Sequence, residues 1–210
     1  MKVVSIATLD SRAYYSILNR LKMTNLDFVS LTPSEARVGG PGPVITTKRE
    51  REFFGGATAS IPIEELDENP LIMEGQILSR ISSENRTNLL IGIDPGSRTG
   101  VVVFYGDSQL GSFTVESLEE LRSRLLDVVR GIPSLKVMAR VGDGAPRLSK
   151  AISQMIRYAL PEVLIELVDE RGTTTSRRRS EGLTGDQGAA AKIARRKGVL
   201  LSGDYNRRKT

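Results

Sequence analysis

The chain has 210 residues, 39% of them apolar, which is enough to bury a core in one large domain or two small ones and excludes a disordered chain. It contains no Cys and no His, so disulfides, thiolate chemistry, cysteine- or histidine-ligated metals and the common serine triad are excluded; carboxylates, Lys, Tyr and bound metals remain for any chemistry. Lys and Arg outnumber Asp and Glu by 30 to 25, and they bunch at Arg177-Arg178-Arg179, Arg195-Arg196-Lys197 and Arg207-Arg208-Lys209, which favours a polyanionic partner.

The opening, MKVVSIATLD, lacks a signal-peptide hydrophobic run, and no later stretch approaches the roughly 20 apolar residues of a membrane span. A cytoplasmic protein with no membrane association is expected. Val3 to Ala7 reads as a short buried strand. Asp10 and Ser11 are helix-starting residues, and Tyr14, Ile17, Leu18 and Leu21 follow at helical spacing. Phe28 to Leu31 and Val44 to Thr46 predict two more strands. Between them, Thr32 to Pro43 holds Gly39, Gly40 and Gly42 with three prolines, and lacks both the P-loop Lys-Ser/Thr and the GxGxxG spacing, so it reads as turn chemistry. Asn69 to Ser82 predicts a helix. The expected organisation is a small α/β domain over residues 1–82, a polar linker at 83–88 and a second domain over 89–210 with a basic C-terminal tail.

From residue 89 the pattern changes. Leu89 to Asp94, Gly100 to Tyr105 and Leu110 to Val115 predict three strands, the last two joined by a tight turn at Gly106-Asp107, so an antiparallel meander is expected. Ser117 with Glu120 matches a capping box for a helix to about Arg130. A strand at Lys136 to Val141, a helix at about Pro146 to Ala159, a strand at Val163 to Val168 and a helix from Asp186 to Lys197 follow. Three strands and then alternating helices and strands make a mixed-sheet α/β arrangement.

Three acidic positions sit where strand or helix ends can converge. Asp94 closes an apolar strand and enters Pro95-Gly96; a buried carboxylate there needs a hydrogen bond, a counter-charge or a metal, although a turn Asp capping the following backbone accounts for it equally well. Asp186 shares a helical stripe with Ala189, Ala190 and Ile193, which points it inward; a helix-start acid favoured by the macrodipole after a Thr184 cap is the alternative, and it explains the helix end but not the inward face. Asp169-Glu170 ends the strand Leu164 to Val168, and since neighbouring strand residues face opposite sides only one of the two can join Asp94. Asp143 is a fourth candidate. Such acids would hold Mg²⁺ or Mn²⁺ and suit two-metal phosphodiester hydrolysis, which needs no His.

The stretch Gly92-Ile93-Asp94-Pro95-Gly96-Ser97-Arg98-Thr99-Gly100 resembles the first-strand motif of RuvC-type Holliday junction resolvases and their YqgF relatives. Asp169-Glu170-Arg171 with Thr173-Thr174 looks like the DER-x-TT motif of the YqgF branch, and Asp186 with Ala189-Ala190 like its closing helix. The resemblance covers roughly residues 88 to 200, and Gly172 departs from the apolar residue usual after DER. It implies a ribonuclease H-like five-stranded mixed sheet, Mg²⁺-dependent endonuclease cleavage of branched DNA or RNA, and a homodimer. Carried over by position, Asp94, Glu170 and Asp186 are the catalytic metal ligands, with Asp143 and Asp169 as possible additions. Arg98, Arg171, Thr173, Arg177, Arg178, Arg179, Arg195, Arg196 and Lys197 are the expected nucleic-acid contacts. A non-catalytic nucleic-acid-binding protein of the same fold is the alternative. An actin-like or sugar-kinase-like ATPase fits less well, because only one Asp-x-Gly strand-turn of that type is present.

Overall fold

The computed structural model describes residues 2–55, 59–81, 87–170 and 185–201. The chain divides into two compact units, residues 1–85 with 131–133, and residues 86–130 with 134–210. The expected linker at 83–88 lies mostly on residues outside the described ones.

The first unit is a four-stranded parallel sheet in the order β2-β1-β3-β4, built from β1 (Val3–Ile6), β2 (Asp27–Ser30), β3 (Val44–Thr46) and β4 (Ser60–Pro62). Helix α1 (Ser11–Leu21) starts because the Asp10 carboxylate accepts from the Arg12 and Ala13 main-chain N–H groups, and it buries Ile17 and Leu21. A second helix, α2 (Pro33–Val38), occupies part of the stretch read as turns. Its signal was present in the sequence: Thr32 and Glu35 form a full capping box and Pro33 takes the first helical turn. The glycines that follow do serve the turn. Gly42 has φ +70°, and a Cβ there would sit 1.9 Å from the Val3 carbonyl oxygen. The strand order reverses between β1 and β3, where open α/β sheets commonly take ligands. Here the Glu50 carboxylate fills that end, accepting from the Leu9 N–H at 2.6 Å and the Thr47 hydroxyl at 2.8 Å, and also from Thr8.

Helix α3 (Pro70–Ile81) carries a buried acid, Glu74, 2% exposed, which accepts from the Asn25 main-chain N–H at 2.8 Å. Burial pushes its carboxyl up, against the pull of Asn25 and Lys2. A carboxyl that binds its proton more tightly when folded stabilises the fold below its unfolded pKa, and that contribution is lost as pH rises through the raised folded pKa. Glu74→Gln is therefore expected to raise the thermal midpoint at pH 8, with the gain disappearing near pH 4; a variant less stable at both pH values would show that the charge itself is needed.

The second unit contains β5 (Leu89–Asp94), β6 (Thr99–Tyr105), β7 (Ser108–Val115), α4 (Leu118–Gly131), β8 (Val137–Gly142), α5 (Pro146–Ala159), β9 (Leu164–Val168), α6 (Gly185–Arg195) and β10 (Val199–Leu200). Strands β5, β6 and β7 form the antiparallel meander, β8 and β9 run parallel to β5, and the order is β10-β9-β8-β5-β6-β7. The sheet is mixed parallel and antiparallel, as expected, but with six strands rather than five. The extra strand, β10, is two residues long and pairs antiparallel with β9, too short to leave a periodic signal. Ser117 caps α4 through the Glu120 N–H at 3.1 Å, whereas the Glu120 carboxylate reaches the Glu116 N–H instead of closing the box.

Helix α6 lies on the face of the sheet formed by Leu90, Val102 and Phe104, to which it presents Ala190, Ala191 and Ala194. Small residues on both sides bring the helix close. A Cβ on Gly92 would lie 2.3 Å from the Ala190 carbonyl oxygen and 2.6 Å from the Ala194 Cβ. On the same face, Arg140 pairs with Glu166 at 2.8 Å, both side chains under 15% exposed, and donates to the Ala194 carbonyl at the end of α6. The pair ties β8, β9 and α6 together. Glu166→Gln alone leaves a buried guanidinium without its counter-charge, and a loss of about 3–5 kcal/mol is expected in denaturant melts. The paired change Arg140→Met with Glu166→Leu should cost much less; an equal loss would mean that packing, rather than charge, fixes this corner.

Candidate active site

Asp94 is the last residue of β5 and pairs with Gly100 of β6. The first turn of α6 sits directly over that pair. A Cβ on Gly100 would lie 2.3 Å from the Asp186 carbonyl oxygen and 3.1 Å from the Asp186 Cβ, so only glycine lets the main chain of Asp186 come down beside Asp94. Thr184, the residue before α6, lies outside the described residues.

Glu170 enters from the end of β9. Its Oε1 accepts from the Gly144 N–H at 3.0 Å, its own N–H donates to Asp143 Oδ1 at 3.0 Å, and the Asp143 N–H donates to the Val168 carbonyl at 3.1 Å. Two glycines make room for it. A Cβ on Gly142 would stand 1.9 Å from Glu170 Oε1, and one on Gly144 2.7 Å from Oε2. Asp143 is therefore a strap on the Glu170 main chain. Asp169 is exposed and its carbonyl accepts from Arg196 Nη1 at 3.2 Å. Of Asp169 and Glu170, it is the Glu170 carboxylate whose charge acts on Asp94.

The electrostatics report the same convergence. Asp94 is half-buried, and its carboxyl is pushed up to about 6, first by loss of solvent and then by the negative charges of Glu170 and Asp186. Among the described residues no ion pair neutralises it. Among the described residues, too, no three acidic side chains stand at metal-ligand spacing. Asp94 is thus within electrostatic reach of both Glu170 and Asp186, without a closed cage among the described residues. As a donor set they are all oxygen, which fits a hard divalent cation such as Mg²⁺ or Mn²⁺, and a cation would relieve the repulsion that raises Asp94.

The expected nucleic-acid contacts divide. Arg98 is exposed in the turn between β5 and β6. Arg196 is drawn onto the Asp169 carbonyl, while Lys197 is exposed. Arg195 lies over the Phe104 ring at 5.6 Å, so its guanidinium is engaged with the sheet. Arg171, Thr173, Arg177, Arg178 and Arg179 lie outside the described residues, as do Arg207, Arg208 and Lys209. Residues the sequence reading missed are Gly142 and Gly144, whose spacing around Asp143 was the available signal, and Lys192. Lys192 lines a small cavity of about 70 Å³ with Glu170, Asp169 and Arg196.

No helix among the described residues is long and apolar enough to cross a membrane. No family model matches the chain, and no curated protein does. Among solved structures the chain is similar to Marinitoga piezophila Argonaute, crystallised in complex with 5′ OH guide RNA and target DNA. The TM-score is 0.32 and the identity 11%, over 80% of this chain and 39% of that one, so this chain spans well under half the length of that protein.

Proposed function

We propose that this chain is a metal-dependent endonuclease that hydrolyses phosphodiester bonds in branched or structured nucleic acid, in the manner of the RuvC and YqgF proteins its motifs resemble. The observation that carries the reading is the convergence of Asp94, Glu170 and Asp186 at the carboxyl ends of β5 and β9, with glycines at 100, 142 and 144 clearing space for two of them. Asp94, Glu170 and Asp186 would hold Mg²⁺ or Mn²⁺, which when bound would supply an activated water and neutralise charge at the leaving oxygen. Asp94 and Asp186 contribute oxygens from a rigid strand end and a helix start. Glu170 is held in place by Gly144 and Asp143. Lys192 and Arg196 line a cavity beside Glu170, and with the exposed Arg98 they hold the phosphate backbone of the bound strand. A homodimer would present two such sites to a two-fold substrate.

The test is cleavage of end-labelled four-way junctions, duplex DNA and hairpin RNA with Mg²⁺, with Mn²⁺ and with EDTA. Cutting that requires the metal supports the reading, and its substrate preference identifies the class. Binding without cutting under every condition supports the second reading, a non-catalytic nucleic-acid-binding protein, which the open spacing of the carboxylates favours.

A further inference from the structure

By the alternation of β9, Val168 faces α6 and Leu167 faces the opposite side of the sheet, where α5 packs. Along α5 on that side runs a groove of about 470 Å³. Ser149 and Ser153 keep its floor low: they are buried, and their hydroxyls donate back to the Gly142 and Ser149 carbonyls. Leu167 and Leu201 form the apolar wall. Lys150, Gln154 and Arg157 line the other side, and Asp143 closes the end nearest Glu170. Lys150 and Arg157 are exposed, and among the described residues neither is held in an ion pair. They stand two helical turns apart, about 10 Å, the span of roughly three nucleotides at duplex rise. Tyr158, next to Arg157 on α5 but outside the residues that line the groove, is 89% exposed. The volume is that of a small-molecule pocket, far too small for a duplex.

We propose that this groove binds a single-stranded segment of nucleic acid, with phosphates on Lys150 and Arg157, with sugars and bases against Leu167 and Leu201, and with one base on Tyr158 where the strand leaves the groove beside Arg157. Two cations about three nucleotides apart, an apolar wall between the sheet and α5, and an exposed ring at the exit suit an unpaired strand and exceed what a small inorganic anion needs. The inference rests on the nuclease reading, since Asp143 joins the groove mouth to the Glu170 main chain.

The test uses the full chain in EDTA, so that nothing is cut. Binding of a blunt duplex is compared with binding of the same duplex carrying a short unpaired 5′ or 3′ tail. One of the tails is expected to tighten binding roughly tenfold, the size of one stacked base. Lys150→Gln with Arg157→Gln, and separately Tyr158→Ala, should each remove most of that gain. Arg122→Gln, an exposed cation on α4, should leave it intact. The groove assignment is overturned if neither tail helps the wild type, if the gain survives in both groove variants, if Arg122→Gln removes it equally, or if a free nucleoside monophosphate abolishes it, which would mark a small-anion pocket. Metal-dependent cutting by the wild type with a tail gain that survives in the variants sinks the groove and spares the nuclease; a tail gain lost in the variants with no cutting at all does the reverse.

Discussion

Asp94→Asn is expected to abolish metal-dependent cleavage while the protein remains folded and still binds nucleic acid. Removing an outer hydrogen-bond partner of a metal ligand costs 10–100-fold, so loss of a ligand carboxylate should exceed about 100-fold in cleavage rate. Unchanged cutting in the variant would sink the assignment of this site. The same substitution has a second, independent readout. The Asp94 carboxyl is raised to about 6 by burial and then by Glu170 and Asp186. A raised folded pKa means that its contribution to stability is present below the unfolded value near 4 and is lost as pH climbs through 6. Asn carries no such charge. In EDTA the variant should therefore melt above the wild type at pH 8, with the difference shrinking toward pH 4. Added Mg²⁺ should raise the wild-type midpoint by mass action and leave the variant's unchanged. A wild type whose midpoint is indifferent to Mg²⁺ and which cuts nothing would favour the non-catalytic reading.

The meander was legible because β5, β6 and β7 are apolar runs broken by turn residues, Pro95-Gly96 and Gly106-Asp107. Helices α1, α4 and α5 were legible from period and starting residues. What escaped were pieces with little burial of their own. Helix α2 has six residues and two buried side chains, so its start signal was swamped by the glycines and prolines after it. Strand β4 has three residues and β10 two, and each exists because a neighbouring strand offers free backbone groups.

At the site, the acids were readable because an apolar strand that ends in a carboxylate is chemically unusual. Their supports were not. Gly100 reads locally as the small first residue of a strand, and its purpose lies 86 positions away at Asp186, where only the packed helix reveals it. Gly142 and Gly144 flank an acid that drew attention to itself, while the acid they accommodate is Glu170. The Arg195 to Lys197 cluster looked uniform in sequence, yet one guanidinium sits over Phe104 and the next on the Asp169 carbonyl. Charge clusters state a partner's sign; geometry decides which members are available to it.

Gly100→Ala is expected to damage the site more than its single added methyl suggests. The new Cβ would fall 2.3 Å from the Asp186 carbonyl oxygen and 2.5 Å from the carbonyl carbon. Both are main-chain atoms at the start of a helix and cannot swing aside as a side-chain tip would. The first turn of α6 must therefore lift from the sheet. Forcing a methyl into a packed contact costs about 1–3 kcal/mol, and the buried Ala190, Ala191 and Ala194 interface that follows would lose part of its packing. Misplacing a reacting group by about 1 Å costs on the order of 100-fold in rate, and here the displaced group is the Asp186 carboxylate. The variant should remain folded, with a melting midpoint lowered by several degrees, and cleave about 100-fold more slowly. Gly96→Ala is the control. The nearest atoms to its Cβ would be those of the Arg98 backbone, with the closest approach 3.2 Å, and no atom of α6 is among them. If Gly100→Ala cut at the wild-type rate while Asp94→Asn was dead, Asp186 would not belong to the reacting set and the site would reduce to Asp94 and Glu170.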